Sequence, residues 1–237
     1  MSQPAFSPKE YDEKIKTTLP YYQEFYRQVV DTVKVLDYPS LSWLDLGCGT
    51  GKMGEAAFSA FAPKRFVFWD QSPEMIAIAK SRFADANAEF VTASLLDLHC
   101  REEFNVITAI EVNHYLSPEE RRKAIANAYQ ALQPGGVFFT FENFAPNSRA
   151  GQQLALKRWG GLSSSPGQKR PTSKRAFGSV RQRLLSHLPF GPPATLAGLR
   201  ISNGGAALAV LPSSRAVRHQ ISEKNPAAEF STVGFSL

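Results

Sequence analysis

Acidic residues all but vanish from the last third of this 237-residue chain. Residues 160–237 carry ten Lys and Arg against Glu223 and Glu229 alone, whereas residues 1–159 carry 17 basic and 19 acidic side chains. The formal charge of +6 therefore belongs to the C-terminal part. Aromatic residues are equally scarce there: of 27, only Phe177, Phe190, Phe230 and Phe235 lie beyond residue 159, which excludes a second aromatic core. Two cysteines, Cys48 and Cys100, are too few for a disulfide framework. Neither has a partner at metal-ligand spacing, so both read as free thiols and no metal is expected. No apolar run approaches the roughly 18 residues of a membrane-spanning helix, and the polar stretch Met1 to Glu10 lacks a signal pattern. The expectation is a soluble, cytoplasmic protein without membrane contact.

What is present sits mostly before Gly160. Residues 11–36 read as an amphipathic helical segment around Pro20, with Tyr22, Phe25, Tyr26 and Val29 recurring at spacings of three and four. Short apolar runs follow at 41–46, 66–69, 89–93, 104–112 and 137–141, separated by helical patterns at 52–61, 73–83 and 118–132. Ser72-Pro73-Glu74 and Ser117-Pro118-Glu119-Glu120 both open helices with a capping serine and a proline at the first helical position, and Pro134-Gly135-Gly136 reads as a turn. Strands alternating with helices imply a mostly parallel sheet, hence a doubly wound α/β domain. The expected organisation is a helical cap over 1–40, a core over 41–160 and a basic tail over 161–237, rich in Ser, Pro, Gly and Arg and poorly ordered.

In an open α/β sheet, ligands bind beyond the carboxyl ends of the strands. After the first run stands Leu44-Asp45-Leu46-Gly47-Cys48-Gly49-Thr50-Gly51, whose glycines permit a tight turn and close approach of a ligand. Three readings compete. Gly49-x-Gly51-x-x-Gly54 matches the dinucleotide pattern only as an isolated string. A phosphate loop is excluded, because Leu46 and Met53 occupy positions that need Gly and Ser or Thr. The whole string, with Asp45 two residues before the first glycine, resembles motif I of the class I S-adenosylmethionine (SAM) dependent methyltransferases.

The resemblance extends over about 41–143. Trp69-Asp70-Gln71-Ser72-Pro73-Glu74-Met75 looks like the family's second motif, and Leu132-Gln133-Pro134-Gly135-Gly136 like the turn before its fifth strand. It implies a Rossmann-like three-layer α/β/α fold and SAM as cofactor. The implied cofactor-binding set is Asp45, Gly47, Cys48, Gly49, Gly51, Asp70, Gln71, Met75, Ser94, Leu95 and Glu111. On the resemblance, Asp45 is expected near the methionine portion, loop N–H groups facing the ligand's oxygens, and Asp70 accepting both ribose hydroxyls. Ser94 replaces the usual adenine-contacting Asp, leaving a hydroxyl or backbone contact. His114, Glu111 and Glu142 are the candidates for a catalytic base, with a packed, hydrogen-bonded histidine as the alternative role for His114. Tyr11, Tyr21 and Tyr22 either close over the cofactor or pack the helix onto the core. The acceptor is expected to be a small molecule.

The resemblance stops near Gly160. The family's seven-stranded sheet ends in a helix and an antiparallel strand pair. Here Ala206 to Leu211 is the best single apolar run, flanked by Gly204-Gly205 and Pro212, so a normal final pair is expected to be missing. The tail reads as a disordered basic extension, a nucleic-acid arm or an altered, out-of-frame terminus. SAM binding without methyl transfer, and methylation of a nucleic acid through the tail, are the rival functions.

Overall fold

The five apolar runs form parallel strands, β1 (Ser42–Leu46), β2 (Arg65–Asp70), β3 (Ala88–Thr92), β4 (Phe104–Ile110) and β5 (Leu132–Asn143). The computed structural model describes residues 7, 10–19, 21–143, 148–162 and 206–212. The helices are α1 (Tyr11–Thr18), α2 (Tyr22–Leu36), α3 (Lys52–Ala60), α4 (Pro73–Arg82), α5 (Pro118–Ala131) and α6 (Arg149–Leu162). A sixth strand, β6 (Ala206–Pro212), joins the sheet, whose order is β3-β2-β1-β4-β5-β6. The order reverses between β1 and β4, which opens a crevice at their carboxyl ends.

Strand alternation divides the core into two layers. Trp43, Phe66, Phe68, Val106, Phe139 and Phe141 face α2, α3 and α4, whereas Leu44, Val67, Ile107 and Phe138 face α5. The first layer is aromatic: Phe68 stacks on Phe83 and Phe90, and Phe25 of α2 stacks on Phe141 at 4.7 Å. That last contact anchors the second cap helix to the sheet. Both predicted helix starts form: Ser72 accepts the Met75 N–H, and Ser117 and Glu120 make a reciprocal capping box.

Two expectations change. Pro134-Gly135-Gly136 is not a turn ahead of the strand but part of β5, whose register against β4 shifts between Phe104 and Val106. Gly135 takes φ +80° there, so the left-handed residue is absorbed as a strand irregularity. At the other end, Ala206–Pro212 pairs antiparallel with β5, from Val137↔Pro212 to Asn143↔Ala206. The tail thus supplies one antiparallel strand in place of a pair among the described residues. Pro212 is tolerated because it ends an edge strand. Residues 163–205 and 213–237, on which the readings of the tail also rest, lie outside the described residues.

Candidate functional site

Asp45 is 3% exposed. Its Oδ1 accepts the Thr108 hydroxyl at 2.7 Å, and Thr108 in turn accepts Trp43 Nε1–H at 3.0 Å. Asp45 Oδ2 is equally buried and has no hydrogen-bond partner among the described residues. Burial, opposed by the Thr108 bond and reinforced by the nearby Asp70, pushes the Asp45 carboxyl up to about 7. A buried carboxylate oxygen with no donor is costly unless a ligand satisfies it.

The chain then turns through Gly47, at φ +65°, where a Cβ would lie 2.3 Å from Val112 Cγ2. Conformation and space both demand glycine. The turn directs backbone donors inward: Gly47 and Cys48 N–H donate to the Trp69 carbonyl at 2.7 and 3.1 Å, Gly49 N–H to Asp70 Oδ2 at 2.9 Å, and Gly51 N–H to the Cys48 carbonyl. The expectation that loop N–H groups face a ligand is therefore corrected for these four, because buried donors are paired within the fold. Gly54 has a different role. A Cβ there would meet the Phe68 ring at 2.4 Å, so this glycine lets α3 approach β2.

Asp70 ends β2 and joins it to the loop, its Oδ1 accepting Ser72 N–H at 2.8 Å and its Oδ2 accepting Gly49 N–H. Burial pushes its carboxyl up, against these backbone bonds.

Opposite the loop, β4 ends at Ile110 and Glu111 adopts φ +56°, a left-handed conformation unusual for a residue with a side chain and characteristic of functional turns. Its carboxylate lies 4.0 Å from His114 Nδ1, which sits 2.9 Å from Glu142 Oε2. Glu142, at the end of β5, also accepts the Asn113 N–H at 2.8 Å, and Asn113 Nδ2 donates to Thr140. All three side chains are under 10% exposed. Their donor atoms lie within 4.8 Å of one another, and one imidazole with two carboxylates is a set able to hold a divalent cation. Linear spacing did not reveal this group, because its members come from two strand ends and a short 3₁₀ turn, Asn113–Tyr115.

Between these features lies a cavity of about 30 Å³, lined by Asp45, Gly47, Cys48, Gly49 and Glu111 together with Tyr11, Tyr22, Tyr26, Thr50, Lys52, Met53 and Ile110. The expected tyrosines separate: Tyr11 and Tyr22 line the cavity, while Tyr21 is 46% exposed. Tyr26, unassigned in the sequence, lines it through the i, i+4 spacing from Tyr22 that was visible there. The remaining sequence-assigned residues do not line it. Gln71 is exposed, Met75 and Leu95 are core residues, and Gly51 is the N-cap of α3. Ser94 caps a 3₁₀ turn through its hydroxyl and accepts Trp69 Nε1–H on its carbonyl. Thr50, inside the glycine string, and Lys52, just after it, were given no role from sequence, because their place beside the cavity depends on the folded loop.

Residues 44–136 match a methyltransferase domain. The chain is 26% identical over 156 residues to a carboxy-S-adenosyl-L-methionine synthase of Helicobacter hepaticus, covering 63% of this chain and 65% of that protein. It is 28% identical over 112 residues to a demethylmenaquinone methyltransferase of Chlamydia caviae, 47% of this chain and 48% of that one. It thus spans about half to two thirds of the length of these relatives. A SAM-dependent methyltransferase structure from Clostridium acetobutylicum shares the fold, with a TM-score of 0.50 and 23% identity over 57% of this chain and 55% of that one. The glycine loop and the acidic strand ends thus lie in or beside a stretch that matches a methyltransferase domain, on an α/β fold shared with the Clostridium structure.

Proposed function

We propose that this chain transfers a methyl group from SAM to a small-molecule acceptor. The observation that carries the reading is the buried, donor-less Asp45 Oδ2 beside the glycine loop, an acceptor suited to a cationic amino group. Further support comes from Gly49, where nothing lies within 4 Å of a would-be Cβ, and from Asp70, a buried carboxylate at the end of β2 suited to accept ribose hydroxyls. The residues fit SAM. When bound, SAM supplies a sulfonium methyl to a nucleophile. Asp45 and Asp70 would hold it, and the rings of Tyr22 and Tyr26, which line the cavity, would attract its positive charge. Glu142 fixes the Nδ1–H tautomer of His114, making Nε2 the basic nitrogen that takes a proton from an acceptor hydroxyl or amine. The names of the Chlamydia and Helicobacter relatives favour a small acceptor over a polymer.

Calorimetry with SAM, followed by methyl transfer to a panel of phenols and amines, tests this reading. Saturable binding is expected, weakened at least about tenfold in Asp45→Ala. His114→Ala should keep binding and lose about a hundredfold or more in turnover. No binding by the folded chain defeats the proposal. Binding without turnover on any acceptor would favour a SAM-binding protein that transfers nothing, a reading to which the single antiparallel strand lends weight.

A further inference from the structure

Asp12 fastens the first helix to the glycine loop. Its Oδ1 accepts the Thr50 hydroxyl at 2.5 Å, and its Oδ2 lies 2.6 Å from Arg82 Nη2 and 3.3 Å from Lys52 Nζ. Arg82 also donates to the Thr50 carbonyl at 2.6 Å and pairs with Glu55 at 3.0 Å, and Lys52 pairs with Glu55 at 2.7 Å. One carboxylate of α1 thereby binds the loop, α3 and α4 together. The cluster is partly withdrawn from water, with Asp12 21%, Arg82 25% and Lys52 18% exposed. Burial pushes the Asp12 carboxyl up, but the bonds from Thr50 and Arg82 and the adjacent charges outweigh it and hold it below the usual range.

The neighbouring Tyr11 lines the cavity, which at about 30 Å³ has room for roughly one water, whereas small-molecule sites occupy roughly 300–1,000 Å³. A cofactor seated at Asp45 needs more room than this cavity gives, and α1 forms part of its wall through Tyr11. A hinge is at hand: α1 ends at Thr18, and Tyr21, just before α2, is left-handed at φ +61°. Phe25 of α2 stacks on Phe141 and fixes α2 in the core, whereas, among the described residues, α1 rests on that core only through the partly buried Ile15, with Leu19 just past its end.

We propose that Asp12 is a positioning residue that latches α1 over the loop through Thr50, Lys52 and Arg82, and that release of this latch gates cofactor exchange. The gating role rests on the SAM-binding reading above; the latch itself does not.

Cys48 reports on the latch without any ligand, because it lines the cavity and is only 7% exposed. Cys100, partly buried and packed on the other face of the sheet, is an internal control. Thiol labelling of the full chain at fixed pH should run about tenfold faster at Cys48 in Asp12→Asn than in wild type, with Cys100 unchanged. Arg82→Gln should act in the same direction, and the double variant should add little, since both break one cluster. An unchanged Cys48 rate, or equal acceleration of both cysteines through loss of global stability, overturns the latch. A separate arm measures S-adenosylhomocysteine. It should protect Cys48 in wild type and dissociate about tenfold faster from Asp12→Asn. Failure to protect counts against the SAM reading while the ligand-free rates still decide the latch. Protection with an unaltered dissociation rate overturns the gating role.

Discussion

Asp45 shows how a residue named by a motif acquires its chemistry from neighbours distant in sequence. Its carboxyl, held at about 7 by burial, is largely protonated at pH 6, and binding a cationic amino group requires the ionised form. SAM affinity should therefore rise with pH, approaching tenfold per unit below 7 and levelling above it. Calorimetry across pH 5.5–8 checks the profile, which Asp45→Asn should flatten. Thr108→Val, by removing the bond that favours the ionised form, should move the midpoint upward. The same shift acts on stability with a definite sign. Between the unfolded value near 3.8 and about 7 the folded state retains a proton that the unfolded chain has lost, so this group's contribution falls as pH rises through that window. Gly47 is a second residue-scale case: Gly47→Ala forces a Cβ into Val112 at φ +65° and should cost about 2–4 kcal/mol in urea denaturation. Glycine at 47 was legible in the sequence; its collision partner, Val112 just past the end of β4, was not.

Among the elements, the helices with proline at the first position were legible because their starts are local. Ser117→Ala removes one half of the α5 capping box and should cost about 1 kcal/mol, or about 2–4 °C in a thermal scan. The three-way meeting of Glu111, His114 and Glu142 was named residue by residue in the sequence. Its geometry depends on the register that sets Ile110 opposite Phe141 and on the left-handed turn at Glu111. The cap divides similarly. Amphipathic spacing identified α2 as packed on the core, but nothing in the local pattern of α1 marks Asp12, whose partners lie 38 and 70 positions away.

For the whole molecule, the consequential element is β6. It covers β5 from Val137 to Asn143, and without it that strand presents a row of unpaired backbone groups. A chain ending after Leu162 should self-associate, seen as a larger species by size-exclusion chromatography with light scattering, whereas the full chain should not by this route. The carboxyl ends of β1 and β2 lie on the other side of the sheet order, three and four strands from β6, so SAM binding by any soluble fraction should persist.

Sequence alone determined the alternation of strands and helices, the glycine loop and the acidic residue after each of the first two strands, because these depend on periodicity and on turns a few residues long. Tertiary structure decided the rest: which loop donors are already paired, which tyrosines face the cavity, that β6 completes the sheet edge, and that Asp12 reaches the loop. Each of these depends on contacts between segments far apart in the chain, whose strength comes from burial and geometry that no local pattern encodes.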